Sequence, residues 1–199
     1  MKNNQRILIY TAMFAAIVVV LQTLVAIPVG AFTITLTLVP VMLGAILFGP
    51  ASGAILGAVF GVTVAIQVVT GAAGEASFMM FTQAPVVTVV LCVLKGAAAG
   101  WVSGIVYRAV NKTGKNKLAV ILSAVVCPIV NTGIFCLGLV VFYNNLLKVW
   151  SVDGGFANAL TFIMLGLIGL NFVIEFTVNV LLIPVTLRMI KIVKKVAVK

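Results

Sequence analysis

Two charged side chains, Lys95 and Glu175, interrupt otherwise apolar stretches of this sequence. Each falls about midway along a segment long enough to cross a bilayer, where one charge costs at least ~2.5–3.5 kcal/mol. Asn171 and Asn179 flank Glu175 at a spacing of four, so all three share one face of a helix. A cation and a carboxylate there can hold the anionic group and the hydroxyls of a small ligand. They can also form a structural ion pair, and both interpretations remain open.

Other polar residues could contribute to the same site. Asn131 and Thr132 fall midway along another apolar segment, where asparagine can also hydrogen-bond to a neighbouring helix without a ligand. Thr35 and Gln83 lie in predicted loops at one membrane face, among aromatic residues that anchor at the interface or cap a pocket. The candidate substrate-binding residues are Lys95, Glu175, Asn131, Asn171, Asn179, Thr35 and Gln83.

The residues needed for common catalytic and metal sites are missing from the sequence. There is no histidine, so a Ser-His-Asp triad and a Cys-His pair both lack their base. Cys92, Cys127 and Cys136 lie singly in apolar runs, which is typical of small buried side chains and not of a disulfide framework. No Walker motif is present, so the chain cannot hydrolyse ATP by itself. We predict a protein that is not an enzyme and that uses no metal or other cofactor.

The elements that position these residues must lie in lipid. Hydrophobic residues make up 63% of the 199 residues and charged residues only 8%, with a mean hydropathy of +1.32. Soluble domains contain roughly 25% charged residues. No charge occurs between Arg6 and Glu75, a span far longer than the ~20 apolar residues that one bilayer crossing needs. The net charge of +10 would suggest nucleic-acid binding in a soluble protein, but here the basic residues cluster at segment ends.

We predict an all-α integral membrane protein with a single six-helix domain over residues 1–199. The first apolar run is longer than a typical signal-peptide core, so we interpret it as a retained helix. The intervening segments 28–37, 71–84 and 145–158 are predicted to be loops. The predicted transmembrane helices cover residues 6–27, 38–49, 51–70, 85–109, 118–144 and 159–190.

The distribution of lysine and arginine predicts the orientation. With six spans, eleven basic residues lie at the face that carries both termini, and only Lys148 lies at the other. The positive-inside rule therefore predicts that both termini are cytoplasmic. No internal repeat is evident, so the usual signature of a self-sufficient secondary transporter is missing.

Small residues recur at a spacing of four in three of the predicted helices. Glycines at 53, 57 and 61 and at 96, 100 and 104 indicate close packing between the third and fourth helices. Ala12 and Ala16 form a similar strip on the first helix. This strip could be a docking surface for another membrane protein.

Three segments resemble the substrate-binding S components of energy-coupling factor (ECF) vitamin transporters. They are residues 27–30, IPVG; residues 34–50, ITLTLVPVMLGAILFGP; and residues 53–61, GAILGAVFG. Ala12 and Ala16 match the alanine motif in the first helix of that family. The resemblance covers nearly the whole chain, and the 34–61 region is its most specific part. Further matches are Asn131-Thr132, Glu175 and Ile183-Pro184.

This resemblance implies a function and a multi-pass location in a bacterial plasma membrane. S components are six-helix proteins that bind a vitamin from outside with high affinity and dock through helix 1 on a transmembrane coupling subunit driven by two cytoplasmic ATPases. The pattern is most similar to pantothenate-type members, which often carry arginine where this sequence has Lys95. Lysine keeps the charge without the bidentate fork. We therefore expect a vitamin with a carboxylate, pantothenate first and folate second. The alternative is a stand-alone secondary carrier or channel for small solutes.

Overall fold

The computed structural model describes residues 3–25, 27–29, 32–34, 36–158 and 161–197. These residues are almost entirely helical, which confirms the predicted all-α class. The helices are α1 (Asn3–Leu24), α2 (Leu38–Phe48), α3 (Pro50–Val69), α4 (Glu75–Gln83), α5 (Pro85–Asn111), α6 (Asn116–Phe142), α7 (Asn144–Asp153), α8 (Ile168–Leu181) and α9 (Ile183–Ala197). A π-helix, Phe162–Leu167, immediately precedes α8.

Within the described residues, four helices are long and apolar enough to cross a membrane. They belong to α1, α3, α5 and α6, and their bounds differ from the predicted ones by at most three residues. A bent pair, Phe172–Leu181 and Ile183–Ile190, turns by 42° and would supply a fifth span. Six spans and cytoplasmic termini stay predictions, because α2 has only 11 residues and neither membrane face is identified.

Two of the predicted loops are wrong in their secondary structure. Segment 71–84 contains α4, and segment 145–158 contains most of α7. The remaining predicted loop, 28–37, contains all but the first residue of a short antiparallel hairpin of β1 (Ile27–Val29) and β2 (Phe32–Ile34), in which Val29 pairs with Phe32. β2 contacts both α4 and α8. These elements share one end of the bundle, which we call the hairpin end, and the end where α1 begins and α5 ends is the basic end.

The short helix α2 lies at the centre of the bundle. Every residue from Leu38 to Ile46 is buried. The helix is apolar on all sides, as expected when no face meets water. It contacts α1, α3, α5 and α6, so it forms the core around which the longer helices pack.

Helices α3 and α5 pack backbone against backbone. A Cβ atom added to Gly57 would overlap the carbonyl oxygen of Gly96, and one added to Gly53 would overlap that of Gly100. Only residues without a side chain permit this approach. The close packing predicted from the glycine spacing is confirmed, and the contacts show that the two helices are antiparallel.

Hydroxyl pairs join α5 to α6 near both ends. At the basic end, the Oγ atoms of Ser103 and Ser123 lie 2.7 Å apart, and each hydroxyl also lies 3.1 Å from the other residue's carbonyl oxygen. At the hairpin end, the Tyr143 hydroxyl lies 2.6 Å from Thr88 Oγ1 and donates to the Ala84 carbonyl at 3.2 Å. All four hydroxyl-bearing residues are buried, so these bonds hold the two helices in register.

Two hydrogen bonds between the buried Gln22 and the half-buried Gln67 tie α1 to α3 at the hairpin end. Gln22 Nε2 donates to Gln67 Oε1 at 2.7 Å, and Gln67 Nε2 donates to the Gln22 carbonyl at 2.9 Å. Thr37, just before α2, donates to Gln22 Oε1 at 2.9 Å. This cluster therefore anchors both helices next to the start of α2.

The α3–α5 contact generates a stability prediction. Gly57→Val should lower the free energy of unfolding by about 1–3 kcal/mol, because the added atoms force the two backbones apart. Gly133→Ala is the matched control: Gly133 lies in α6 with no atom within 4 Å of an added Cβ. It should be neutral or stabilise the helix by up to ~1 kcal/mol. Unfolding in mixed micelles measures both, and equal stability of the two variants would contradict the packing.

Candidate functional site

Lys95 lies in the middle of α5 and is half-buried. Its Nζ atom sits over the ring of Phe135 on α6, 4.5 Å from the ring centroid. A cation over an aromatic face is stabilised by about 0.5–2 kcal/mol, depending on how completely it is desolvated. The ring therefore holds the lysine cation at the interface between α5 and α6.

Glu175 lies in α8 and is also half-buried. Lys95 is near enough to act on its carboxylate electrostatically. Among the described residues, however, no ion pair within 4 Å joins Lys95 and Glu175. The two charges thus interact electrostatically without direct contact.

Asn131 and Asn179 bring amide groups to the same helix interface. Both are buried, with 6% and 2% of their surface exposed, and the Oδ1 atom of each has no hydrogen-bond partner. Asn179 Nδ2 donates to the Glu175 carbonyl at 2.9 Å. Cys127, one turn from Asn131 on α6, is buried within electrostatic reach of Glu175. This face of α6 is therefore turned toward α8.

The remaining predicted substrate-binding residues are not seen at this interface. Gln83 is exposed at the end of α4, about 15 Å along the helix axis from the level of Lys95. Thr35 lies outside the described residues. Asn171 belongs to α8, but its side chain is also outside the described part of the chain. The structure thus places Lys95 on α5, Asn131 on α6, and Glu175 and Asn179 on α8, and α6 contacts both of the other helices.

Phe135 is a functional candidate that the sequence analysis missed. It follows Asn131 by four residues, so the two share a face of α6, and that spacing was an available signal. Three further aromatic residues pack at the hairpin end: the rings of Phe156 and Phe162 lie 5.4 Å apart, and those of Trp150 and Phe162 lie 6.3 Å apart. Phe162 begins the π-helix, an irregularity often found near functional sites.

A separate cleft of about 280 Å³ opens between α3 and α5 near the hairpin end. Its lining consists of Val62, Ala65, Ile66, Val69, Thr70, Val89 and Val93. A single hydroxyl cannot orient a polar ligand, because specificity requires several placed polar groups. The cleft is therefore a weaker ligand site than the Lys95–Glu175 interface.

The fold defines a multi-pass membrane protein, and charged and amide side chains lie on three of its helices. Among the described residues, no cluster of three His, Cys, Asp or Glu residues could hold a metal ion. Residues 6–187 match the family model for the substrate-specific component of ECF transporters. The chain belongs to this family, so it is a substrate-binding subunit of an ECF importer and not an enzyme. Its location is the plasma membrane.

The fold is also similar to that of a solved structure, ThiT from Listeria monocytogenes. The two share a TM-score of 0.61 and 20% sequence identity, over 95% of this chain and 99% of that chain. At this identity the similarity concerns the fold alone. No curated protein sequence matches the chain significantly.

The contact between Lys95 and Phe135 generates the second prediction. Phe135→Leu should lower the free energy of unfolding, and about 0.5–2 kcal/mol of that loss should come from the cation over the ring. The same substitution should therefore cost less when Lys95 is already methionine. Phe135→Trp keeps an aromatic face and is the control. Equal losses with and without Lys95, measured by unfolding in mixed micelles, would show that the ring only fills space.

Proposed function

We propose that this S component captures a small water-soluble vitamin with high affinity and that Lys95 anchors a carboxylate of that vitamin. The observation that carries the proposal is the environment of the Lys95 cation. Its Nζ atom lies 4.5 Å from the centroid of the Phe135 ring and forms no ion pair with Glu175. A lysine cation in this position can accept an anionic partner while Phe135 remains behind it. Pantothenate is the favoured vitamin and folate the second, because both carry a carboxylate.

Glu175 has two roles in this proposal. In the empty protein the negative charge of Glu175 offsets the positive charge of Lys95. This lowers the free-energy cost of placing a cation at mid-membrane depth. In the bound protein it accepts hydrogen bonds from ligand hydroxyl or N–H groups. Asn131, Asn171 and Asn179 contribute further polar groups, and Thr35 and Gln83 meet the ligand as it enters from the hairpin end.

The partners in the proposal are a transmembrane coupling subunit and two cytoplasmic ATPases. Ala12 and Ala16 are both exposed on α1, so their small side chains present a shallow surface that another helix can approach closely. Leu8, Met13 and Val20 are exposed on the same helix. These features support α1 as the docking helix.

Binding measurements with Lys95 variants test the site. Lys95→Ala should weaken binding of pantothenate by roughly 2–5 kcal/mol, the usual effect of truncating one partner of a buried charge pair. Lys95→Arg should recover part of this loss, because it restores the charge with a different geometry. Isothermal titration with purified protein measures both, using folate, riboflavin, thiamine and biotin as comparison ligands. Wild-type affinity in a well-folded Lys95→Ala protein would end the anchoring hypothesis.

A second experiment tests docking separately from binding. Ala12→Trp and Ala16→Trp should abolish vitamin uptake in cells and leave ligand affinity unchanged, because the added bulk blocks the partner and not the site. Thr23→Trp, also exposed on α1 but near the hairpin end, is the control and should retain uptake. Loss of ligand binding by the isolated Ala12 or Ala16 variants would contradict the assignment.

A further inference from the structure

The two asparagine carbonyl oxygens in the site are hydrogen-bond acceptors without donors. Asn131 Oδ1 and Asn179 Oδ1 are each buried and unpartnered, and Glu175 adds a carboxylate, which in its ionised form can only accept hydrogen bonds. Native proteins pair the large majority of buried polar atoms. Two such atoms, on helices that pack together and one of which also carries Glu175, are acceptors that no described residue satisfies.

These acceptors lie farther from the hairpin end than the Lys95 cation. Along α6, Asn131 is four residues, or about 6 Å, further from the hairpin end than Phe135, on which the Lys95 cation rests. Helix α8 leads away from the hairpin end, so Asn179 lies about 6 Å deeper than Glu175. The site thus presents a positive group toward the hairpin end and acceptors toward the basic end, over on the order of 10 Å.

We propose that the site selects a carboxylic acid whose opposite end carries O–H or N–H donors, oriented with the carboxylate toward the hairpin end. The donor end reaches Asn131, Glu175 and Asn179. This inference rests on the proposed function, because it takes Lys95 as the carboxylate anchor. It adds the orientation of the ligand in the site and assigns the discrimination between ligands to Asn131 and Asn179.

The physical basis of this discrimination is the cost of an unmade hydrogen bond. An acid that lacks the distal donors would leave both carbonyl oxygens buried and unpaired, whereas the correct ligand satisfies them. A site built to bond a ligand donor rejects analogues without it far more strongly than an apolar pocket rejects a missing methylene. Asn131 and Asn179 are therefore specificity-determining residues.

The probes are pantothenate, pantothenol and N-(3,3-dimethylbutanoyl)-β-alanine. Pantothenol replaces the carboxylate with a hydroxyl group, and the acyl-β-alanine keeps the carboxylate but lacks both distal hydroxyls. For the wild type, we expect the acyl-β-alanine to bind at least about 100-fold more weakly than pantothenate. In Asn131→Leu and Asn179→Leu this ratio should fall to about tenfold or less, because pantothenate alone loses its acceptors. In Lys95→Ala the preference over pantothenol should disappear instead.

Asn111→Leu is the matched control. Asn111 also has a buried Oδ1 atom without a partner, but it lies at the basic end of α5, about 24 Å along the helix axis from Lys95. It should leave both binding ratios unchanged. In the ligand-free protein, Asn131→Leu and Asn179→Leu should keep or raise the melting temperature, since an apolar side chain removes an unpaired carbonyl.

The outcomes distinguish a failure of this inference from a failure of the proposed function. Binding of pantothenate that needs Lys95 but is unchanged in the asparagine variants would keep the proposed function and overturn this inference. A drop of several degrees in the melting temperature of the ligand-free asparagine variants would overturn it too, since their amides would then be structural. A sodium-dependent melting temperature at constant ionic strength, lost in these variants, would assign the carbonyls to a cation instead. Failure of the wild type to bind pantothenate or folate would overturn both proposals.

Discussion

The close backbone contact between α3 and α5 sets the geometry on which the site depends. Because the glycine face of α5 must lie against α3, the rotation of α5 about its axis is determined. Lys95, next to Gly96, is then turned toward α6, where Phe135 receives its cation. The hydroxyl pairs between α5 and α6 hold the register that keeps these two residues level. A contact between residues without side chains thus positions the charged side chain of Lys95.

Much of this arrangement could be predicted from the sequence. Hydropathy predicts the four long helices to within three residues, and the glycine spacing predicts which pair packs closely. Helices α4 and α7 could not be predicted in this way, because nine and ten residues of mixed polarity resemble loops. The hairpin was missed for a similar reason, since its two strands have only three residues each.

The candidate site was predictable in its charges but not in its contacts. An intramembrane lysine and glutamate stand out in any apolar sequence, and in the structure Lys95 acts electrostatically on Glu175. The position of Lys95 over Phe135 depends on the relative rotation of two helices, which composition and spacing do not determine. The unpartnered carbonyls of Asn131 and Asn179 could not be predicted either. The sequence does not show whether a neighbouring helix donates a hydrogen bond to an asparagine side chain.

The central position of α2 has a consequence for biogenesis. Its 11 residues extend only about 16 Å, roughly half the ~30 Å hydrocarbon core, so it cannot span the bilayer as an independent unit. Its buried surface is covered by helices that include α5 and α6, which are synthesised after it. During translation α2 is therefore covered only by α1 and α3 until α5 and α6 have been synthesised and pack around it. Insertion and tertiary assembly of this chain are consequently one coupled event and not two successive stages.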